Sequence, residues 1–352
     1  MATEDARYRQ SSQYRLWSFT PSHLATLREK TNTLARTHIS NRLRASDPPV
    51  DPLPNFLTPE EEYMILNHFT LELLRAAPYC QLPTDIQATA AIFLRRFYLT
   101  NSVMTYPPQE LIKTCIFFGC KAEGYFIRVQ KIADIFPNTT GEMILAAEYV
   151  LCQGIRFAFD VRHPFRALEG TVMELRRLGD FDDDRINRAH KRTRDILKFS
   201  PLVTDAYFHY TPSQIMYAAL AIADEELVQR MLREAFATQS EEARAKVWNV
   251  IRTCKHILEK EPPEKMTSYW TDPESTKAIK ALRRKLAKCR DPDRVDLVAL
   301  QKARREEAAQ KPKPKIASDA DEKVFGSGTG EGRESKRRKV VPEGADPFGP
   351  PL

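Results

Sequence analysis

Residues 84–125 read TDIQATAAIFLRRFYLTNSVMTYPPQELIKTCIFFGCKAEGY and decide the fold, because they predict two helices joined by a short polar turn. In the first helix Arg95 and Arg96 fall on the opposite side from the apolar positions, which is typical of an amphipathic helix. Thr84, followed three residues later by Gln87, predicts a capping box at its start. The apolar positions recur at helical spacing and are Ile86, Ala90, Phe93 and Phe97.

The second helix follows Pro107 and Pro108 and is apolar almost all round, as is typical of a central helix that others surround. Gly119 and Cys120 are small, so a neighbouring helix can approach closely. Lys121 stands where the apolar run ends. That run comprises Leu111, Ile112, Cys115, Ile116, Phe117 and Phe118.

The composition predicts a nearly all-α globular protein of one large domain or two ordinary ones. Of 352 residues, 42% are apolar and only 12 are glycine. The N-terminal residues lack the apolar stretch of a signal peptide, and no run approaches the roughly 20 apolar residues that cross a bilayer. We therefore expect a soluble protein with no membrane partner. The six cysteines form no CxxC pair, so we expect buried free thiols in a reducing compartment.

A five-helix unit is predicted to occur twice, because residues 210–215 (YTPSQI) echo residues 106–111 (YPPQEL) and both continue as apolar helices. The predicted fold is all-α, with two tandem repeats, flanking N- and C-terminal helices and a disordered C-terminal tail. In order, the predicted segments are an N-terminal segment and helix (1–57), the first repeat (58–160), the second repeat (161–262), a C-terminal helical segment (263–310) and the tail (311–352).

The net charge of +7 comes from the C-terminal end of the chain. Residues 274–310 hold 11 basic and 6 acidic residues, and residues 311–352 hold 9 and 7, so residues 1–273 sum to zero. A nucleic-acid-binding domain is expected to carry a basic face. We therefore expect no direct nucleic-acid binding.

No catalytic motif, metal-ligand spacing or cofactor-binding loop is recognisable, which favours an interaction or regulatory subunit over an enzyme. Residues 182–184 (DDD) favour an acidic helix start over a metal site. Lys121 is either an ordinary lysine at a helix end or one half of a charged pair with Glu148, which lies in another mostly apolar helix. If those two helices are adjacent, such a pair could hydrogen-bond the backbone ends of a partner protein.

The repeated unit, with this lysine and glutamate, resembles the cyclin box, and several segments are similar to the cyclin family in the same order. Those segments are residues 11–20 (SSQYRLWSFT), 93–108 (FLRRFYLTNSVMTYPP), 115–123 (CIFFGCKAE), 163–170 (HPFRALEG) and 204–215 (TDAYFHYTPSQI). Within the family, the resemblance is to the regulatory subunits of CDK-activating kinases. It implies three partners, namely a cyclin-dependent kinase catalytic subunit, a RING-finger assembly subunit and the TFIIH core. It also implies that this kinase phosphorylates the RNA polymerase II C-terminal domain.

By this resemblance, Lys121 and Glu148 match the residues with which cyclins hold the C-helix of the kinase. We expect the apolar surface around Phe117, Phe118 and Cys152 to pack on that helix. From the missing motifs we expect no cofactor, no metal and no catalytic residue on this chain.

The chain departs from the family pattern at two places. Gly124 and Tyr125 follow Glu123 where cyclins usually carry more acidic residues, and residues 64–66 (MIL) show no recognisable substrate-docking motif. Direct recruitment of substrates is therefore not implied.

Three alternatives remain open. Another transcriptional cyclin is the nearest, and a TFIIB-type DNA-binding factor also uses two such units but predicts a basic core and a zinc ribbon. The third is an unrecognised helical enzyme.

Residues 335–340 (SKRRKV) resemble a nuclear-import signal and predict a nuclear location, with a solvated charge run as the other interpretation.

Overall fold

In this computed structural model the described residues are 4–292 and 296–310, and their regular structure is entirely helical. The predicted tail and its basic segment lie outside the described residues. The chain divides into two units, residues 1–304 and 305–352, and the contacts below belong to the first. No helix in the described part is long and apolar enough to cross a bilayer. Three helices open the chain: α1 (Glu4–Gln10), α2 (Ser12–Trp17) and α3 (Pro21–Ala45).

The two helices of residues 84–125 form the centre of the first repeat, as predicted. They pack so closely that a Cβ on Gly119 would lie 3.3 Å from both the Ala90 Cβ and the Ile86 carbonyl oxygen. A small residue is needed there for that reason. The helices of the first repeat are α4 (Pro59–Ala76), a 3₁₀ turn (Ala77–Cys80), α5 (Thr84–Thr100), α6 (Pro108–Ala122), α7 (Val129–Ala133), α8 (Gly141–Ala146) and α9 (Glu148–Gly154).

The second repeat is built around its own apolar helix, which packs against two long neighbours. It also contains two four-residue helices that the sequence does not predict. The helices of the second repeat are α10 (Phe165–Leu178), α11 (Asp183–Leu197), α12 (Ser200–Val203), α13 (Ala206–His209), α14 (Pro212–Ala223), α15 (Glu225–Ala235) and α16 (Glu241–Glu259). They are followed by α17 (Lys265–Thr271), α18 (Pro273–Lys288) and α19 (Leu297–Gln310).

The predicted start of α5 is wrong in its detail. Thr84 makes no capping hydrogen bond, because Pro83 holds the N-cap position. Gln87 instead donates from Nε2 to the Leu82 carbonyl oxygen, 2.7 Å away. This bond ties the side chain to the preceding loop, so the start of α5 is fixed by proline geometry and not by a reciprocal box.

The sequence pattern predicts Arg95 and Arg96 on the outer side of α5, and this prediction is wrong because both residues are 1% exposed. Arg95 donates to Asn67 Oδ1 at 2.8 Å and to Asp205 Oδ1 at 2.9 Å. Arg28 holds the same carboxylate with two bonds of 2.7 and 2.9 Å. One aspartate of the second repeat is thus shared by an arginine of α3 and an arginine of α5.

Arg96 connects α5 to the segment between the repeats. Its Nη1 donates to the Ala158 carbonyl oxygen at 3.0 Å, and the Asp160 carbonyl oxygen lies 3.4 Å away. The guanidinium carbon also lies 5.3 Å from the centre of the buried Trp17 ring. A cation in this position satisfies carbonyl groups that would otherwise be buried without partners.

Candidate functional site

Lys121 lies in the last turn of α6, where the helix C-terminus favours a positive charge. Its Nζ is 2.7 Å from Glu148 Oε1, so the two helices are adjacent and the charged pair predicted from the sequence exists. The Lys121 side chain is 48% exposed and that of Glu148 is 19% exposed. The pair is therefore open to solvent and lies at the edge of the fold.

Glu148 reaches this position because the helix predicted for residues 141–153 is broken in two. The backbone N–H of Ala147 bonds the Leu145 carbonyl, two residues back, where an α-helix has bonds spanning four residues. The prediction of a single helix is wrong at that residue. Glu148 becomes the first residue of α9, where a negative side chain is favoured by the helix dipole.

Phe117 does not form part of an exposed apolar surface, which corrects the expectation drawn from the sequence. Its side chain is 6% exposed, and Lys121 Nζ lies 4.7 Å from the centre of its ring. A cation above a ring at this distance is attracted by the π electrons. Phe117 therefore supports the lysine from below and offers little area to a partner.

Cys152 lies on α9, one turn after Glu148, and is half-buried. Burial, and after it the negative charge of Glu148, raises the pKa of the Cys152 thiol to about 11. The thiol is neutral at physiological pH and acts as a small apolar contact. The other five cysteines, which are buried and free as predicted, are Cys80, Cys115, Cys120, Cys254 and Cys289.

An aromatic face extends from the charged pair and includes rings beyond those predicted from the sequence. Phe118 is half-buried, with ring centroids 5.8 Å from Phe93 and 5.1 Å from Phe159. Phe157 continues the row, 6.3 Å from Phe159. Phe157 and Phe159 are 47% and 38% exposed, which is high for rings of this size.

The backbone places Phe157 on this face. Arg156 and Phe157 have φ values of 55° and 54°, in the left-handed region that non-glycine residues rarely adopt. The Phe157 N–H bonds the Cys152 carbonyl and closes the end of α9. A left-handed backbone at a non-glycine residue costs free energy. The sequence pattern does not indicate such a conformation here, so this turn is not predicted.

A chain of hydrogen bonds secures the residues that follow Lys121. Thr89 donates its hydroxyl to Glu123 Oε1 at 2.6 Å, and His163 Nε2 lies 2.7 Å from the same hydroxyl. Because Thr89 has given its hydrogen to Glu123, His163 must donate from Nε2 and accept at Nδ1 from the Tyr207 hydroxyl, 2.8 Å away. Burial, with a smaller effect from the charge of Arg96, lowers the pKa of His163 to about 3, so the ring is neutral.

The site therefore offers a half-exposed cation and a mostly buried anion beside an apolar face. This combination suits the binding of a helix end, whose unpaired backbone groups need a donor or an acceptor. Among the described residues, no group of three or more His, Cys, Asp or Glu is placed to hold a metal ion.

Comparison with known proteins identifies the family. The family model "Cyclin C-terminal domain" matches residues 163–259, within the predicted second repeat. A chain of the CAK complex from Chaetomium thermophilum, bound to ATP-gamma-S, is 52% identical with a TM-score of 0.82, covering 91% of this chain and 99% of that one. This chain is a cyclin. A chain of the yeast TFIIK (Kin28/Ccl1/Tfb3) complex is 34% identical to this cyclin with a TM-score of 0.59, covering 71% of this cyclin and 100% of the yeast chain.

Curated relatives carry the same family name. Cyclin CCL1 of Saccharomyces cerevisiae is 33% identical over 249 residues, which are 67% of this cyclin and 63% of that protein. Cyclin mcs2 of Schizosaccharomyces pombe is 31% identical over 221 residues, or 61% of this cyclin and 68% of mcs2. This cyclin thus spans about two thirds of the length of these relatives. The family resemblance and the all-α fold predicted from the sequence are confirmed.

Proposed function

We propose that this cyclin is a cyclin H-like regulatory subunit, not itself an enzyme, that binds and activates a cyclin-dependent kinase. Two observations support the proposal, namely its 52% identity to a chain of a CAK complex and the geometry of the Lys121–Glu148 pair. The pair carries the argument, because it is solvent-accessible on one side and supported by Phe117 on the other.

In the proposed mechanism the cyclin acts by positioning. The Glu148 carboxylate accepts from unpaired N–H groups at the N-terminal end of the C-helix of the kinase, and the Lys121 ammonium donates to carbonyl oxygens of the chain that leads into that end. The aromatic face of Phe118, Phe157 and Phe159 packs along the helix and supplies apolar area. A kinase needs its C-helix glutamate paired with its active-site lysine, so holding that helix inward favours the active state.

The wider assembly is part of the same proposal. We expect a RING-finger assembly subunit and the TFIIH core as further partners, and the RNA polymerase II C-terminal domain and other cyclin-dependent kinases as substrates of the bound kinase. The location is proposed to be nuclear, with residues 335–340 as the import signal. A fluorescent fusion that lacks these six residues and still accumulates fully in the nucleus would contradict the assignment of the signal.

The function is tested by measuring kinase binding and activity with Lys121→Ala. Losing one partner of a desolvated charged contact costs about 2–5 kcal/mol, and we expect the lower end because the Lys121 side chain is half-exposed before binding. The kinase affinity should therefore fall by roughly 30-fold, with a matching loss of activation at limiting cyclin. Lys191→Ala removes an exposed lysine on α11 and serves as the matched control.

A charge exchange separates a binding defect from a folding defect. The double variant K121E/E148K keeps the ion pair but reverses its direction. Each reversed charge then opposes a helix dipole, at about 0.3–1 kcal/mol per charge, so the double variant should remain folded but unfold at a somewhat lower temperature than the wild type, and it should still fail to bind the kinase. Wild-type affinity of either variant would refute the proposal that this pair holds the kinase.

A further inference from the structure

A second surface of this cyclin has the features of a docking groove and shares no residue with the Lys121–Glu148 site. It lies between α4 and the C-terminal helices α17 and α18 and has a volume of about 510 Å³. We call it the basic groove. Its floor includes Tyr269, Trp270 and Ile279, and its rim includes Lys280, Arg283 and Arg284.

The floor of the basic groove is built from rings that fix one another. His68 on α4 is 4% exposed, and its Nδ1 lies 2.9 Å from the Tyr269 hydroxyl. The Tyr269 and Trp270 rings meet edge to face with centroids 5.1 Å apart. The guanidinium carbon of Arg75 lies 3.8 Å from the centre of the Trp270 ring. The concave apolar surface is therefore already formed in the isolated chain.

The rim of the basic groove carries an excess of positive charge. Lys280, Arg283 and Arg284 are exposed, and none forms an ion pair with another described residue, whereas Lys285 on the same helix pairs with Glu61 at 2.7 Å. Burial alone raises the pKa of Glu72, the acidic residue in the groove, but His68, Arg283 and Arg75 lower it overall. Glu72 is thus ionised and balances one of these cations, which leaves the rim basic.

We propose that the basic groove binds an acidic segment of a partner protein that also carries a leucine or phenylalanine. The apolar side chain would fill the space above Trp270 and Ile279, and the acidic residues on either side would face Lys280 and Arg284. Nucleic acid fits less well, because Arg75 already covers a face of Trp270 on which a base would stack. This interaction would use Lys280 and Arg284, two of the basic residues concentrated after residue 273, which the kinase-binding site does not use.

The proposal is tested with full-length cyclin and a fluorescein-labelled peptide, EDELFEDLEE, followed by fluorescence anisotropy. We expect binding that weakens with salt and is lost when the leucine and phenylalanine positions of the peptide are changed to serine. Lys280→Glu with Arg284→Glu should lower the affinity about tenfold, equivalent to 1.4 kcal/mol. Arg188→Glu with Lys191→Glu makes the same charge change on exposed residues of α11 and should alter the affinity less than twofold.

Four results of the peptide-binding experiment would overturn the proposal. They are no binding at 1 mM peptide, equal binding of the serine peptide, an equal loss in both charge-reversed variants, and displacement of the peptide by a ten-nucleotide thymidine strand at the same concentration. The last result would assign the groove to nucleic acid. Light scattering that shows a dimer for the wild type and a monomer for K280E/R284E would assign it to a second copy of this chain and would equally contradict the proposal.

Discussion

Replacing Asp205 with asparagine removes the carboxylate that Arg28 and Arg95 share. Asp205 belongs to the second repeat, and its two oxygens accept three hydrogen bonds of 2.7 to 2.9 Å from those arginines. Arg95 is 1% exposed, so its positive charge has no access to water. The substitution therefore leaves a buried cation without its anion and loosens the contact between α3, α5 and the second repeat.

The expected cost follows from that burial. Breaking a buried ion pair by removing one partner typically costs about 3–5 kcal/mol. Asp205 itself is 20% exposed, and asparagine can still accept one hydrogen bond, so we expect about 3 kcal/mol for Asp205→Asn. Adding Arg95→Met should recover part of that loss, because the unpaired buried charge is then absent as well.

Urea unfolding followed by circular dichroism at pH 7 measures this difference directly. Asp195→Asn on α11 removes an exposed aspartate and provides the matched control, which should stay within about 0.5 kcal/mol of the wild type. If Asp205→Asn were no more destabilising than Asp195→Asn, the shared carboxylate would not be a stabilising link between the repeats.

Acid titration gives an independent check of the same link. Burial alone raises the pKa of Asp205, but the bonds and charges of Arg28 and Arg95 outweigh it, so its pKa lies below the ordinary value. A carboxyl group with a lowered folded pKa stabilises the protein above its unfolded pKa and loses that contribution as the pH falls through the folded pKa. Asp205→Asn should therefore show a smaller loss of stability on acidification than the wild type.

Two further predictions concern packing and pH. A Cβ on Gly154 would lie 2.3 Å from the buried Phe97 ring, so Gly154→Ala should destabilise the protein by about 1–3 kcal/mol, whereas Gly170→Ala in α10, with no atom within 4 Å, should stabilise it by roughly 0.5–1 kcal/mol. Urea titrations of both variants decide this, and equal effects would contradict it. The pKa of His163 falls from 6.5 to about 3 on folding, so its stabilising contribution is complete above pH 6.5 and declines as the pH falls towards 3. Between pH 6.5 and 5 the wild type should lose about 2 kcal/mol more than His163→Asn, and identical pH profiles would exclude the neutral buried ring.

The start of a helix can be predicted from the sequence where a capping side chain, and not the surrounding fold, fixes its first residue. Thr58 with Glu61 and Thr211 with Gln214 both form the reciprocal capping box that their spacing indicates. The same spacing at Thr84 fails because the preceding proline already sets the start of α5. A capping pattern is thus a local signal that neighbouring backbone geometry can override.

The two arginines of α5 show where helical periodicity is insufficient. A pattern of apolar and charged positions distinguishes faces only when charged side chains face water. Arg95 and Arg96 instead meet partners more than 60 residues away in the chain, Asp205 and the Ala158 carbonyl group. Nothing local to α5 specifies those contacts, so the burial of both side chains was missed.

For the candidate site, the sequence located the charged pair but not the full apolar surface. Lys121 stands where the apolar run of α6 ends, which the sequence pattern shows, whereas Glu148 begins α9 only because of the break at Ala147, which periodicity did not predict. Phe157 depends on two left-handed residues that close α9, and no residue-type signal marks them because neither is glycine. Phe117 and Phe118 are adjacent in sequence, yet only the second contributes area to the surface.

The contacts of Arg96 affect how variants of this cyclin should be interpreted. Its guanidinium holds the carbonyl groups of residues 158 and 160, on either side of Phe159, and rests against Trp17 from the N-terminal segment. A substitution at Arg96 or Trp17 would shift Phe159 without removing a single atom from the exposed face. A mutational scan that measures only the loss of partner binding would count Arg96 and Trp17 as contact residues. Both residues lie behind the exposed aromatic face and support it.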